Sequence, residues 1–179
     1  MTFAAHARAE LPELKVIIEP EPLGTGGGLR HAAQAVGSAT FVALNGDSWM
    51  PQPLAPVLEA HAATRAQMTM VAVPASRVEG PARRKGLCRL AADDRLLGFE
   101  TVDEATDGWV NGGLYILDRG LVERWPSGRY SLEAELMQLT SGSVAKIFRS
   151  SAALLDIGTL ECLQRAEALW LAEAGEVRA

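Results

Sequence analysis

The sequence predicts an α/β fold in which a Rossmann-like mixed, mainly parallel sheet carries a small antiparallel lobe. Three observations point to it. Apolar runs and helical periodicities alternate through the first half of the chain. Thr40-Phe41-Val42-Ala43-Leu44 is a continuous apolar run of the kind found in buried parallel strands. The second half then changes to a hairpin-like pattern.

Taken in order, Lys15-Val16-Ile17-Ile18 reads as a short β-branched strand ended by Pro20 and Pro22. A glycine-rich turn, Gly24-Thr25-Gly26-Gly27-Gly28, leads into a helix expected from Leu29 to Val36. The Thr40 to Leu44 strand follows and ends at Asn45-Gly46-Asp47-Ser48. From Leu54 to Ala66, apolar Leu54, Val57 and Leu58 fall at helical spacing, and Met68 to Val73 is the next strand. Leu87 to Leu90 and Leu96 to Phe99 flank Asp93-Asp94 as the arms of a hairpin. Trp109 to Leu117 is a further strand with an Asn-Gly-Gly interruption near its start. Ser131 is the expected cap of a helix to about Leu139, and Thr159 the cap of the last helix. No internal repeat or linker divides the chain, so residues 1–179 are expected to form a single domain.

With 179 residues the chain is long enough to bury a core without disulfide or metal staples. Hydrophobic residues make up 48% and charged residues 22%, a globular rather than disordered composition. The net charge of −5 argues against a broad surface for nucleic acid, though it does not bear on one small anion in a local pocket. No apolar run is long enough to span a bilayer, so no membrane partner is expected. Cys88 and Cys162 have no metal-type spacing, which fits thiols in a reducing compartment, and a cytoplasmic location is expected.

Candidate chemistry gathers after the apolar strands, where α/β sheets place their ligands. Consecutive glycines at Gly24-Thr25-Gly26-Gly27-Gly28, followed by a helix start, would let backbone N–H groups approach an anion; the same residues also suit a simple strand-to-helix turn. Asp47 stands where a carboxylate could hold magnesium, and Asn45-Gly46-Asp47 is equally a turn sequence. Asp156 follows another apolar stretch; facing Asp47 it would complete a metal–phosphate clamp, and otherwise it is a loop carboxylate bonding backbone amides. His31 and His61 lie on predicted helices at surface or half-buried positions, and no nucleophilic triad is evident. Arg83-Arg84-Lys85 reads as a solvated basic loop, and the four tryptophans as core residues.

Five segments in one order resemble the sugar-1-phosphate nucleotidyltransferases. They are Glu19-Pro20-Glu21-Pro22-Leu23-Gly24-Thr25-Gly26-Gly27, Leu44-Asn45-Gly46-Asp47-Ser48, Trp109-Val110-Asn111-Gly112-Gly113-Leu114-Tyr115, Tyr130-Ser131-Leu132-Glu133 and Leu155-Asp156-Ile157-Gly158-Thr159. The match runs from about Leu14 to Leu171, and within the family it is closest to the D-glycero-D-manno-heptose 1-phosphate guanylyltransferase branch. The resemblance implies the nucleotide-diphospho-sugar transferase type of fold and the transfer of NMP from an NTP, GTP favoured, to a sugar 1-phosphate with release of pyrophosphate. It implies nucleotide contacts from Gly24, Thr25, Gly26 and Gly27, and a Mg²⁺ ion on catalytic Asp47 and Asp156. It also implies sugar contacts from Gly86, Asn111, Gly112 and Glu133, with Tyr115 on the same wall.

The chain also departs from the family pattern. The glycine-rich phosphate loop of the Gly-Gly-x-Gly-Thr-Arg kind and the Pro-Lys segment are not present. Gly98-Phe99-Glu100-Thr101-Val102-Asp103 has no lysine where the family carries a Glu-Lys pair, and Lys85-Gly86 replaces a common Tyr-Gly. The expectation is therefore an N-terminally truncated domain, a fragment or a chain whose gap is filled by a second copy or another polypeptide. A catalytically silent sugar-nucleotide-binding module is the alternative reading. A GT-A-like glycosyltransferase is disfavoured because no D-x-D motif occurs.

Overall fold

The computed structural model describes residues 14–79, 87–100, 107–139 and 145–176. Its centre is β3 (Met68–Pro74), flanked by β7 (Trp109–Asp118) and β8 (Ala145–Arg149). The sheet runs β6–β5–β7–β3–β8, with β5 at Leu87–Leu90 and β6 at Leu96–Glu100, while β1 (Thr40–Leu44) pairs with the C-terminal half of β7. A second small sheet joins β2 (Ser48–Trp49), β9 (Leu154–Asp156) and β4 (Val78–Glu79) in the order β2–β9–β4.

The period-2 alternation of strand side chains sets the layers. Met68, Met70 and Ala72 of β3, with Tyr115 and Leu117 of β7, join one core cluster. That cluster is covered by Leu121 and Val122 of α3 (Arg119–Glu123), Leu132 and Leu136 of α4 (Leu132–Leu139), and the buried Trp125. Ala33 of α1 (Gly24–Ala33) and Leu96 of the β5–β6 hairpin complete it. Val71, Leu114 and Ile116 face the other way onto Val57 of α2 (Leu54–Thr64). With both faces covered, every residue of β3 except Pro74 is buried, which explains its unbroken apolar sequence. On the α2 side, His61 is buried rather than superficial, and its Nδ1 lies 2.9 Å from Thr69 Oγ1.

The mixed α/β architecture is as the sequence predicts; its pairing differs in detail. Strands β1, β3 and β8 share a direction, but antiparallel β7 lies between β1 and β3, leaving β3–β8 as the parallel pair of the main sheet. The Thr40–Leu44 strand forms where predicted, yet it is paired only with β7 among the described residues, and Leu44 is 70% exposed. Residues 15–18 are not a strand: Lys15 and Ile18 are exposed, and β-branched propensity without a pairing partner does not make one. The first helix begins at Gly24 rather than Leu29, so the glycines lie inside it. Short strands β2, β4 and β9, strand β8 and helix α3 carry too little periodicity to be read from sequence. The basic run Arg83-Arg84-Lys85 and Gly86 lie outside the described residues.

The hairpin lobe is not a separate body. Leu87 pairs with Val110 of β7, and at the far end of the hairpin an isolated bridge joins Arg95 to Lys146 of β8. Asp93 binds the Lys146 ammonium at 3.0 Å and Asp94 pairs with Arg149, so the hairpin tip is fastened across the core to the opposite edge strand.

Candidate functional site

A cavity of about 800 Å³ opens at the carboxyl end of β1. Its wall is built from Thr25, Gly28, Leu29 and Ala32 on α1 and from Ala43 and Leu44 of β1. Asn45, Gly46 and Asp47 form the turn beyond β1, and Tyr115, Leu132 and Glu133 complete the lining. Thr25, Asp47 and Glu133, three residues singled out from widely separated segments, thus share one cavity. Tyr115 also lines it.

The glycines serve the packing of α1. A Cβ on Gly26 would meet the Tyr130 ring, and one on Gly27 would meet the Gly128 carbonyl oxygen. Their bareness lets α1 press against residues 128–132, where Gly26 N–H donates to the Tyr130 carbonyl at 3.1 Å and Tyr130 N–H donates to Leu23 at 3.0 Å. Gly24 is exposed, whereas Gly26 and Gly27 are buried behind the cavity wall. The Thr25 hydroxyl accepts the Leu132 N–H at 2.9 Å and donates to Glu133 Oε2 at 3.2 Å.

Asp47 and Asp156 are brought together by the small sheet. Ser48 is the register partner of Asp156, and Ile157 N–H donates to the Asp47 carbonyl at 2.8 Å. Asp47 is exposed at the cavity, while Asp156 is buried and its Oδ1 accepts the Gly158 N–H at 3.0 Å. Carboxylates are the hard-oxygen donors that suit magnesium, which takes one or two of them plus phosphate oxygens. No group of three or more His, Cys, Asp or Glu side chains is placed to hold a metal among the described residues.

Gly112, Gly113 and Leu114 form a bulge: Met70 pairs with Tyr115 and Ala72 with Asn111, so three residues oppose Val71. Gly113 sits at φ +73°, packed against the Asn45 side chain, and its N–H donates to Asn111 Oδ1 at 2.9 Å. Asn111 Nδ2 donates to the Tyr115 hydroxyl at 2.6 Å. Asn111 therefore reaches the cavity through Tyr115, and burial pushes the Tyr115 hydroxyl well above the ordinary tyrosine range. Gly112 is buried against Met50 and the Val71 carbonyl. Sequence reasoning missed the apolar wall of Leu29, Ala32 and Leu132, whose only signal is helical spacing shared with ordinary core residues.

The mixed α/β fold, with a cavity at a strand's carboxyl end edged by Asp47 and a glycine-packed helix, is of the nucleotide-diphospho-sugar transferase type. The chain belongs to the nucleotidyl transferase family, whose sequence profile matches residues 3–173. It is 35% identical over 127 residues to a mannose-1-phosphate guanylyltransferase of Mycobacterium tuberculosis, covering 69% of this chain and 34% of that protein. It is 30% identical over 122 residues to a D-glycero-alpha-D-manno-heptose 1-phosphate guanylyltransferase of Aneurinibacillus thermoaerophilus, covering 68% and 51%. The chain thus matches a third to a half of the length of these relatives. Its fold is similar to HddC from Yersinia pseudotuberculosis, solved in complex with GMP-PN, with a TM-score of 0.76 at 23% identity over 92% of this chain and 72% of that one. It is also similar to the inositol-1-phosphate CTP transferase from T. maritima, with a TM-score of 0.67 at 15% identity over 89% and 66%.

Proposed function

We propose that the chain is the nucleotidyltransferase domain, residues 1–179, of an enzyme that transfers NMP, GMP favoured, from an NTP to a sugar 1-phosphate. The observation that carries this reading is that Asp47 and Glu133, from distant segments, line one cavity of a nucleotidyl transferase family chain, with the Asp156 backbone paired to Ser48 beside Asp47. Both relatives named above are guanylyltransferases of sugar 1-phosphates, which supports GTP.

In the reaction a phosphate oxygen of the sugar 1-phosphate attacks the α-phosphorus of the nucleotide. The bond from that phosphorus to the bridging oxygen breaks, and pyrophosphate leaves with its electron pair. Magnesium on Asp47 and Asp156 would supply charge neutralisation for the crowded phosphate oxygens. The start of α1, from Gly24 through Gly27, borders the nucleotide. Glu133 accepts sugar hydroxyls, and Asn111 and Gly112 shape the sugar side beside Tyr115. The apolar wall excludes water from the reacting phosphates. Both cysteines are free thiols, which supports a cytoplasmic setting, and among the described residues no helix is long and apolar enough to cross a membrane.

No lysine or arginine lines the cavity among the described residues, which favours, for this chain by itself, a second reading as a sugar-nucleotide-binding module without turnover. The edge of β1 that is unpaired among the described residues further supports completion of the sheet by a strand from a second copy or another polypeptide. The test is pyrophosphate release from each NTP with mannose 1-phosphate or heptose 1-phosphate in magnesium. Turnover that falls at least 100-fold in Asp47→Asn, with an unchanged melting temperature, is the expected result. Binding of GDP-mannose without release of pyrophosphate selects the second reading, and neither binding nor turnover overturns both.

A further inference from the structure

The Thr25 hydroxyl lines the cavity, yet both of its hydrogen-bonding roles are taken by α4. It accepts the first amide N–H of that helix, from Leu132 at 2.9 Å, and it donates its one proton to Glu133 Oε2 at 3.2 Å. Ser131 Oγ donates to the same oxygen at 3.1 Å. Two hydroxyl donors therefore pin one oxygen of the Glu133 carboxylate. Its other oxygen, Oε1, accepts no protein hydrogen bond among the described residues, and Glu133 lines the cavity. Thr25 lies 108 positions from Glu133 in the chain, so the pinning depends on how α1 docks against α4 rather than on local sequence. That docking is the close approach permitted by Gly26 and Gly27.

We propose that Thr25 is a positioning residue: its hydroxyl fixes Glu133 so that Oε1 is presented to the hydroxyl groups of a bound sugar phosphate. The inference rests on the sugar reading of the site given above and adds a link between its two sides. A carboxylate held by one oxygen keeps a defined direction for the other, which suits a polyhydroxylated ligand more than a phosphate, because both the carboxylate and a phosphate are anionic. The helix α1, bordering the nucleotide, thereby sets the geometry of the group that meets the sugar.

The experiment uses the full chain with Thr25→Val, which keeps the shape and loses the hydroxyl, and Thr25→Ser, which keeps it. Affinity for mannose 1-phosphate and for GTP is measured by calorimetry in magnesium, or as separate KM values and kcat where turnover occurs. The ¹³C resonance of the Glu133 carboxyl is compared across the variants at one fixed neutral pH. In T25V that resonance should move, since a hydrogen-bond donor to the carboxylate is lost, and mannose 1-phosphate affinity should fall about tenfold. Any loss of GTP affinity should be smaller than the loss for mannose 1-phosphate, and T25S should restore both readouts. A T25V protein that matches the natural chain in carboxyl resonance and sugar phosphate affinity overturns the proposal. So does an equal loss of GTP and sugar phosphate affinity. A moved resonance in a chain that binds GTP but no sugar phosphate supports the hold on Glu133 and overturns the sugar reading, so the two failures are distinct. If T25V melts too low to assay, the exposed Ser131→Ala removes the second donor to the same oxygen; an unmoved resonance and undiminished mannose 1-phosphate affinity there overturn the proposal.

Discussion

Gly27 and Gly46 show how differently two glycines of one site are constrained. A methyl group on Gly27 would run into the Gly128 carbonyl and the Leu23 side chain, and backbone cannot swing aside. Gly46, on the cavity rim, has nothing within 4 Å of the added carbon. Gly27→Ala is therefore expected to cost about 1–3 kcal/mol of stability, as overpacking does. Gly46→Ala should stay within about 0.5 kcal/mol, as surface changes do. Urea unfolding of the two variants checks the contrast. The run of glycines was visible in the sequence, but its physical reason was not. Approach to a ligand and approach to another segment both require the missing Cβ, and only the fold shows Tyr130 and Gly128 against α1. Asp47 and Asp156 were likewise visible as strand-end carboxylates, while the pairing of Ser48 with Asp156 was hidden in strands two and three residues long.

At the scale of elements, the β5–β6 hairpin is held at its tip by charge. The Lys146 ammonium, bonded to Asp93, holds that carboxyl below its ordinary value, aided by the backbone N–H and guanidinium of Arg95. A carboxyl whose value is lowered on folding contributes stability above its unfolded value of about 3.9 and loses it as pH falls through the lower folded value. Hydrogen exchange in the hairpin should therefore accelerate on acidification below about pH 4. In Asp93→Asn the hairpin should exchange faster at neutral pH and show less of that acid dependence. The hairpin itself was legible, because Leu87–Leu90 and Leu96–Phe99 flank an obvious turn. Its fastening to β8 was not, since β8 was unread and Arg149 meets Trp109, 40 residues away in the chain, only in three dimensions. Strand β1 misled in the opposite sense: its apolar run suggested a fully buried strand, whereas Leu44 is largely exposed.

At the scale of the whole molecule, one edge of β1 has no partner strand among the described residues and offers a surface for association. Asn45 N–H donates to the Gly113 carbonyl and Arg119 N–H to the Ala39 carbonyl, so odd-numbered positions from 39 to 45 bond to β7. By the alternation of an antiparallel ladder, the N–H groups of Thr40, Val42 and Leu44 point away from it. Val42→Pro removes one outward donor and spares the ladder to β7. A natural chain that associates with increasing concentration in sedimentation, and a V42P chain that stays monomeric and folded, are the expected results. Association equal in both places the contact elsewhere.

The small sheet that joins Ser48 to Asp156 also has a temporal meaning. During synthesis the first aspartate leaves the ribosome more than a hundred residues before its counterpart, so the candidate metal-binding pair cannot assemble while the chain is still growing through its middle. A polypeptide halted before residue 154 would carry most of the helices and strands described above and still have no partner for Asp47. Assembly of the candidate pair thus waits on the emergence of Asp156, whatever else of the sheet has already formed.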